Sequence, residues 1–563
     1  METGKYEGVG SSAGEEALVG DTDTAREAGE GSEEQGRPAG RLARSTAFFS
    51  VATAFSRVAG LVREIFAASY FGIGAEMSAF TIAFLIPNTV RSLFADAAIQ
   101  AAFVPVFTEE LERGRRDQAF RLAANLFFLV AVVLGLITAL FIVAAPLVTK
   151  LFAPGFEGAV LDLTVSLSRL LFPILVLLGL SGMVVGVLNS YNRFSVFAIA
   201  PFFWNVAIVV VLVGLAPAFP EDDEIYAYAI GVVAGTVLQL AMLTYDLKNT
   251  PFGISRAVLA PFKTKIRAAL GDPDVRRVLL LMLPVTISLG LININLLINS
   301  FFGTLVSDQA PAGIDKAFRI YMLPQGIFSV AVSTVLFPTL ARFAARRDFD
   351  RLRSTMANGM RQIVLLLTPA AAAILVLSEP MIRLVYERGA FTADQTGLVA
   401  TALFWFAFSL PFNGLFLLMT RTFFSLQRPW VPTAISAGNL AITGIFSFAF
   451  YGPFGVGGIV AATALATAAS VAAQAFVLRN VLGRLELGAL AWTWARVVAA
   501  SAALAGVSFA IWEVLDDQVG RVLGGQVVSL GVALVAGAIV YSVAVVALRI
   551  PEAQQIIGLV RRR

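Results

Sequence analysis

Between Leu126 and Leu147 the chain reads LFFLVAVVLGLITALFIVAAPL, twenty-two residues without a charge. About 20 apolar residues cross the hydrocarbon of a bilayer as a helix, and there every backbone polar group must be satisfied within the protein. Comparable runs, separated by Pro, Gly and charged clusters, recur near 46–71, 78–107, 119–146, 160–190, 195–217, 225–246, 273–303, 313–341, 356–377, 394–424, 429–451, 454–479, 489–514 and 523–548. A transmembrane β-barrel is excluded, because its strands would be about 10 residues of alternating pattern. The expected fold class is an all-α polytopic membrane protein of about fourteen spans.

With 58% hydrophobic and 14% charged residues, the chain lies far from the soluble average of about 45–50% apolar and about 25% charged. It has no cysteine and no histidine, which removes thiolate chemistry and the commonest general base and metal ligand. No nucleophile–base pair or metal-ligand set stands out, so the chain reads as a non-enzyme without cofactor or metal. Residues 1–40 hold ten acids, three bases and almost no large apolar residue. A disordered acidic tail over 1–44 follows, lacking the basic and apolar regions of a signal peptide. The first span is then expected to direct insertion.

Without that tail the formal charge rises from +4 to about +11. The most basic connections are Arg113–Arg121, Lys248–Arg277, Arg342–Arg361 and Arg561–Arg563. They read as cytoplasmic orientation determinants beside anionic lipid, not as nucleic-acid sites. On that topology only Lys150, Arg383, Arg388 and Arg521 fall outside, and both termini are cytoplasmic.

The chain repeats itself at an offset of about 231–238 residues, as transporters often do. Ser69-Tyr70-Phe71-Gly72 returns as Ser300-Phe301-Phe302-Gly303, Phe172-Pro173 as Leu410-Pro411, and Asn205 as Asn439. Six spans separate the copies, so the halves keep one orientation and are related by an axis along the membrane normal. The expected organisation is a first lobe over 45–247, a cytoplasmic linker or interfacial helix over 248–272, a second lobe over 273–480, two further spans over 481–549 and a basic tail over 550–563. A central cavity is expected between the lobes.

Within the first two spans stand Arg57, Arg63, Glu64, Arg91 and Asp96. If the first span begins near Thr46, Arg57 lies roughly 16 Å deep and Arg63 roughly 26 Å, too deep for easy snorkelling. Intramembrane charges usually face a bundle interior or a wet cavity. Six residues set Arg57 and Arg63 about 120° apart on an ideal helix, and a break at Gly60 would bring both to one cavity. Two acids against three arginines leave a surplus cation, and the arginine fork suits phosphate oxygens. The alternative reading is that these charges only lock helix packing. The counterpart region of the second lobe is amide-rich, with Asn293, Asn295 and Asn299 as helix-packing groups or ion ligands. Pro87, Pro105, Pro173, Pro324, Pro338 and Pro411 read as kinks or as hinges.

The stretch FSRVAGLVREI…FG…AF…AF.IPN..R.LFA…..AFVPVF over Ser56–Phe107 closely resembles the amino-terminal signature of the MurJ/MviN family of lipid II flippases, within the multidrug/oligosaccharidyl-lipid/polysaccharide exporter superfamily. The resemblance implies fourteen helices in two six-helix lobes plus a terminal pair that borders a groove for the polyprenyl tail. It also implies a cationic cavity for the headgroup. Arg57, Arg63, Arg91 and Arg319 match the family's cavity arginines, the last within Ala317–Pro324, while Glu64 and Asp96 match acidic partners. By its place near the outer end of its span, Arg319 is the weakest of the four. Ser78, Phe318 and Met322 stand where several relatives carry acids, and Glu76, Asp308 or Asp315 are the candidates to substitute.

The function so implied is translocation of lipid II to the outer leaflet of the bacterial plasma membrane by a monomer in contact with membrane lipids and cell-wall synthesis proteins. A flippase for another polyprenyl-linked glycan or a drug exporter on the same fold is the first alternative. A membrane scaffold for cell-wall enzymes is the second.

Overall fold

The computed structural model of the chain describes residues 52–53, 55–94, 97–256, 269–483 and 485–552. The acidic tail, residues 257–268 of the linker and the terminal basic residues lie outside the described residues, and so do the expectations placed there. Helix accounts for nearly all of the rest.

In chain order the elements are α1 (55–71), α2 (Ala75–Phe94), α3 (Ala97–Glu112), α4 (Arg116–Val143), α5 (Ala145–Phe152), α6 (Gly158–Leu171), α7 (Ile174–Ser190), α8 (Ser195–Leu215) and α9 (Ile225–Asp246). There follow α10 (Pro273–Val306), α11 (Ala310–Pro324), a π-helical turn (Gln325–Ser329), α12 (Val330–Ala345), α13 (Phe349–Tyr386), α14 (Ala393–Ser425), α15 (Trp430–Leu482), α16 (Leu487–Val519) and α17 (Leu523–Ala547). Ten helical stretches among the described residues are long and apolar enough to cross a membrane. One of them is α15, which turns at Gly455 with φ of 55° and so comprises two helices.

The packing is that of a protein solvated by lipid. On α17 the exposed side chains include Val528, Val532, Val535, Ile539, Val543 and Val546, and on α4 they include Val133, Leu136, Leu140 and Val143. Spacings of three and four residues put each set on one helix face. In water such a stripe would be turned inward; here it stays outside, while α17 buries Gly525, Ser529, Ala533 and Gly537 beside Leu530 and Val545. The hydroxyl of Ser508 donates to the carbonyl oxygen of Ala533 at 3.0 Å, and a side chain at Gly537 would collide with it. Small residues of this kind let helices approach closely in lipid.

The prolines act unequally. Pro173 separates α6 from α7, and Pro324 precedes the π-helical turn, whereas α2, α3, α12 and α14 run through Pro87, Pro105, Pro338 and Pro411. A kink that the sequence did not suggest falls at Leu377, three residues before Pro380 in α13. The ring of a helix-interior proline displaces the preceding turn. At Gly60 the expected break is absent: α1 is continuous.

Helix α10 crosses between the halves. Its start packs with first-half residues, Val275 and Val278 lying in one buried cluster with Phe103, Leu122 and Leu188. Asn125 Nδ2 donates to Asp272 Oδ2 at 2.8 Å, and Arg277 Nη1 lies 2.9 Å from Glu109 Oε2. Its far end joins the second half, where Asn299 Oδ1 accepts from Thr463 Oγ1 at 3.0 Å. The final pair, α16 and α17, lies along α13. Arg383 pairs there with Asp516, Tyr541 Oη donates to the carbonyl oxygen of Leu365 at 2.6 Å, and Arg361 bridges Glu486 at 2.9 Å and Glu552 at 2.5 Å.

One end of the cleft between the halves is shut by two equivalent contacts. In the first, the amide of Ala390 donates to the carbonyl oxygen of Ser69 at 2.8 Å, and the amide of Ile73 donates to Gln395 Oε1 at 3.0 Å. Gly389 makes this approach possible, since its φ is 61° and an added Cβ would strike the carbonyl oxygen of Ser69. In the second, the amide of Gly155 donates to Thr304 Oγ1 at 3.3 Å, and an added Cβ would strike the Thr304 carbonyl. Each half thus offers a glycine loop to the end of the other half's first helix.

Candidate substrate cavity

Below that closure lies a cavity of about 610 Å³, lined by α1, α2, α8, α9, α10, α11 and the π-helical turn. Arg57, Arg63, Glu64, Asp315 and Arg319 all contribute to its wall. An unbroken α1 still delivers both arginines there, because their long side chains span the 120° between them. The structure therefore replaces the expected break at Gly60 with side-chain reach.

Glu64 is the hub. It is buried, and three cations converge on it: Arg63 Nη2 at 2.5 Å, Lys316 Nζ at 2.7 Å and Arg319 Nη1 at 3.2 Å. Arg319 Nε also donates to Asp315 Oδ2 at 2.8 Å, a contact that four-residue helical spacing makes natural. Arg63 is buried with its guanidinium 4.8 Å from the Trp204 ring centroid, and Trp204 Nε1 donates to Thr236 Oγ1 at 3.1 Å. A cation over indole gains further attraction where water is excluded. Arg57 differs from the others: it is exposed to the cavity, its guanidinium would lie 2.9 Å from a Cβ at Gly326, and it has no carboxylate partner among the described residues.

Of the residues expected from the sequence, Arg57, Arg63, Glu64 and Arg319 are brought together. Arg319, the weakest of the four by its place in the span, lines the cavity, one-third exposed and bound to two carboxylates. Arg91 belongs to α2, with its side chain outside the described residues; Asp96 is outside them altogether.

Among the candidate substitutes for missing acids, Asp315 takes the role beside Arg319. Glu76 is grouped electrostatically with Asp222, Asp223 and Glu224, and Asp308 is exposed away from the cavity. Ser78 Oγ accepts from the amide of Ala312 at 3.2 Å, capping the start of α11 without a charge. Phe318 packs against Tyr321 and Phe406. Sequence reading missed Lys316 and Trp204. The charged run Asp315-Lys316-…-Arg319 within an apolar helix was the available signal for the first; nothing local marks the second.

The sequence profile described as "Lipid II flippase MurJ" matches residues 67–521. The chain belongs to this family. A family member from Rhizobium meliloti (strain 1021), named "Probable lipid II flippase MurJ", is 34% identical over 430 residues, covering 76% of this chain and 78% of the relative. Another, "Lipid II flippase MurJ" of Burkholderia cenocepacia, is 30% identical over 409 residues, covering 72% and 78%. Among solved structures, "Lipid II flippase MurJ, inward closed conformation" superposes with a TM-score of 0.74 at 21% identity, covering 89% of this chain and 99% of that one. An inward-facing multidrug transporter of the MATE family and the MOP superfamily superposes at 0.62 with 15% identity, covering 78% and 96%. These likenesses place the MurJ family chain in the MOP fold, an all-α membrane architecture.

Proposed function

We propose that the chain moves lipid II from the inner to the outer leaflet of the bacterial plasma membrane by alternating access, holding the diphosphate on cavity arginines without covalent chemistry. The observation that carries this reading is charge surplus: Arg57, Arg63, Lys316 and Arg319 face only Glu64 and Asp315 among the described residues around the cavity. Buried cations are costly in a membrane unless something compensates them, and a diphosphate does. Arg57 is the first contact in this scheme, since its fork has no carboxylate among the described residues. Arg319 is the second and Arg63 positions Glu64 between them. Arg91 is retained as a further ligand, with Asp96 as its acidic partner. The lobes are residues 45–247 and 273–480, with 481–549 as the tail-side pair and both termini cytoplasmic. The shut end is then the outer one, consistent with a cytoplasmic Arg342–Arg361 loop.

A cation-drug exporter is the weaker reading, because both cavity carboxylates are already engaged by cations. The test is rescue. Produced in bacteria depleted of their own flippase, this chain should return lipid II to the outer leaflet, read by a membrane-impermeant probe of the headgroup. Membrane-inserted protein with no rescue rejects the reading.

A further inference from the structure

Beside the cationic cavity, and sharing Leu296, Asn299, Phe318 and Met322 with it, lies a second chamber of about 360 Å³. No charged side chain lines it among the described residues. Its polar wall is made of amides and hydroxyls from α10, α11, α14 and α15, and its apolar wall of packed rings: Tyr321 lies 5.2 Å from Phe406 and Phe318 5.7 Å from Phe406, centroid to centroid. Tyr321 Oη is held by Ser409 Oγ at 3.1 Å and Asn413 Nδ2 at 2.9 Å. Two lining residues, Asn295 and Gln325, each keep a buried side-chain oxygen with no hydrogen-bond partner among the described residues. Such atoms are rare in native proteins and expensive to leave unmade. Gln325 opens the π-helical turn, a distortion found frequently at functional sites.

We propose that this chamber is a carbohydrate subsite, taking the uncharged N-acetylated glycan that is joined directly to the diphosphate of the carrier lipid. The inference rests on the function proposed above. Three properties select this ligand. Sugar hydroxyls and acetamido N–H groups supply the donors that Asn295 Oδ1 and Gln325 Oε1 lack. The C–H faces of sugar rings suit an aromatic wall. A charge-free lining rejects the charged peptide of the same headgroup, whose ionised groups would be desolvated without partners. Contiguity matters as well, because a sugar attached to the diphosphate must sit within one residue of the arginines. The chamber volume lies within the range of about 300–1,000 Å³ common for small-ligand pockets.

The test compares two lipids on the purified full chain in nanodiscs: lipid II and undecaprenyl diphosphate, which lacks the glycan, each measured by native mass spectrometry. The acceptors removed lack partners among the described residues, so Asn295→Leu with Gln325→Leu should fold normally. That double variant should bind lipid II about tenfold more weakly, two hydrogen bonds being removed, and bind undecaprenyl diphosphate as before. Arg57→Ala should weaken both lipids. Unchanged lipid II binding in the double variant would make the chamber an inert polar void and overturn the proposal. Equal losses for both lipids, in each single variant as in the double, would place these residues on the diphosphate and overturn it too. A wild-type chain that binds undecaprenyl diphosphate but gains nothing from the glycan defeats the subsite alone; one that binds neither lipid defeats the flippase reading itself.

Discussion

Arg57 and Glu64 lie seven residues apart on one helix, and their surroundings give them opposite duties. Arg57 is exposed to the cavity without a carboxylate among the described residues, so Arg57→Ala should leave folding unchanged and remove a charged hydrogen bond to ligand. Such bonds contribute about 1.5–3 kcal/mol, or about ten- to a hundredfold in lipid II affinity. Arg57→Lys should recover only part of that, since an ammonium cannot reproduce the fork. Wild-type affinity in Arg57→Ala would remove it from the site. Glu64 instead holds Lys316, which is fully buried and has no other carboxylate within ion-pair distance among the described residues. Breaking a buried pair costs about 3–5 kcal/mol, so Glu64→Gln should sharply lower the amount of folded protein in membranes. Adding Lys316→Met should restore it, as read by thermal unfolding of the detergent-solubilised chain. Arg63→Ala should be milder for folding than Glu64→Gln, because Lys316 and Arg319 still compensate the carboxylate.

At the level of elements, the closure depends on helices whose ends touch through backbone atoms. Gly389→Val would combine a β-branched side chain at φ of 61° with a collision against Ser69. Strain of about 1–3 kcal/mol confined to the shut form moves a two-state equilibrium about five- to a hundredfold. The native chain has no cysteine, so a single Phe84→Cys in the cavity wall reports the change. Its labelling by an impermeant maleimide added outside intact cells should rise several-fold when Gly389→Val is introduced. No rise would show that this contact does not limit opening. The same logic applies to Gly155 against Thr304, its equivalent across the repeat. Pro324 and the π-helical turn after it join α11 to α12 beside Arg57, and Gly326 of that turn lies on the cavity wall.

For the whole molecule, orientation follows from charge, and Arg346→Cys should resist that same external label while reacting after the membrane is permeabilised. Labelling in intact cells would invert the topology. Membrane spans, the repeat and the intramembrane charges were all legible in the chain, because hydrocarbon imposes length and apolarity on each helix locally, and a charge inside such a run is conspicuous. Arg57, Arg63 and Glu64 stood out on that ground, whereas Arg319 was singled out only by the resemblance of Ala317–Pro324 to the family pattern. Their division of labour was not legible. Which arginine lacks a carboxylate among the described residues depends on Lys316 and Trp204, contributed by helices far away in sequence, and on the face that α11 turns to α1. The shut end is likewise a tertiary matter: Gly155 and Gly389 read as ordinary loop glycines until two halves bring Thr304 and Ser69 against them. Local sequence determined what must lie in the membrane and carry charge, since those costs are set residue by residue against the solvent; only packing decided which charges neutralise one another and which is left for a ligand, since that depends on distances between segments that the chain order does not contain.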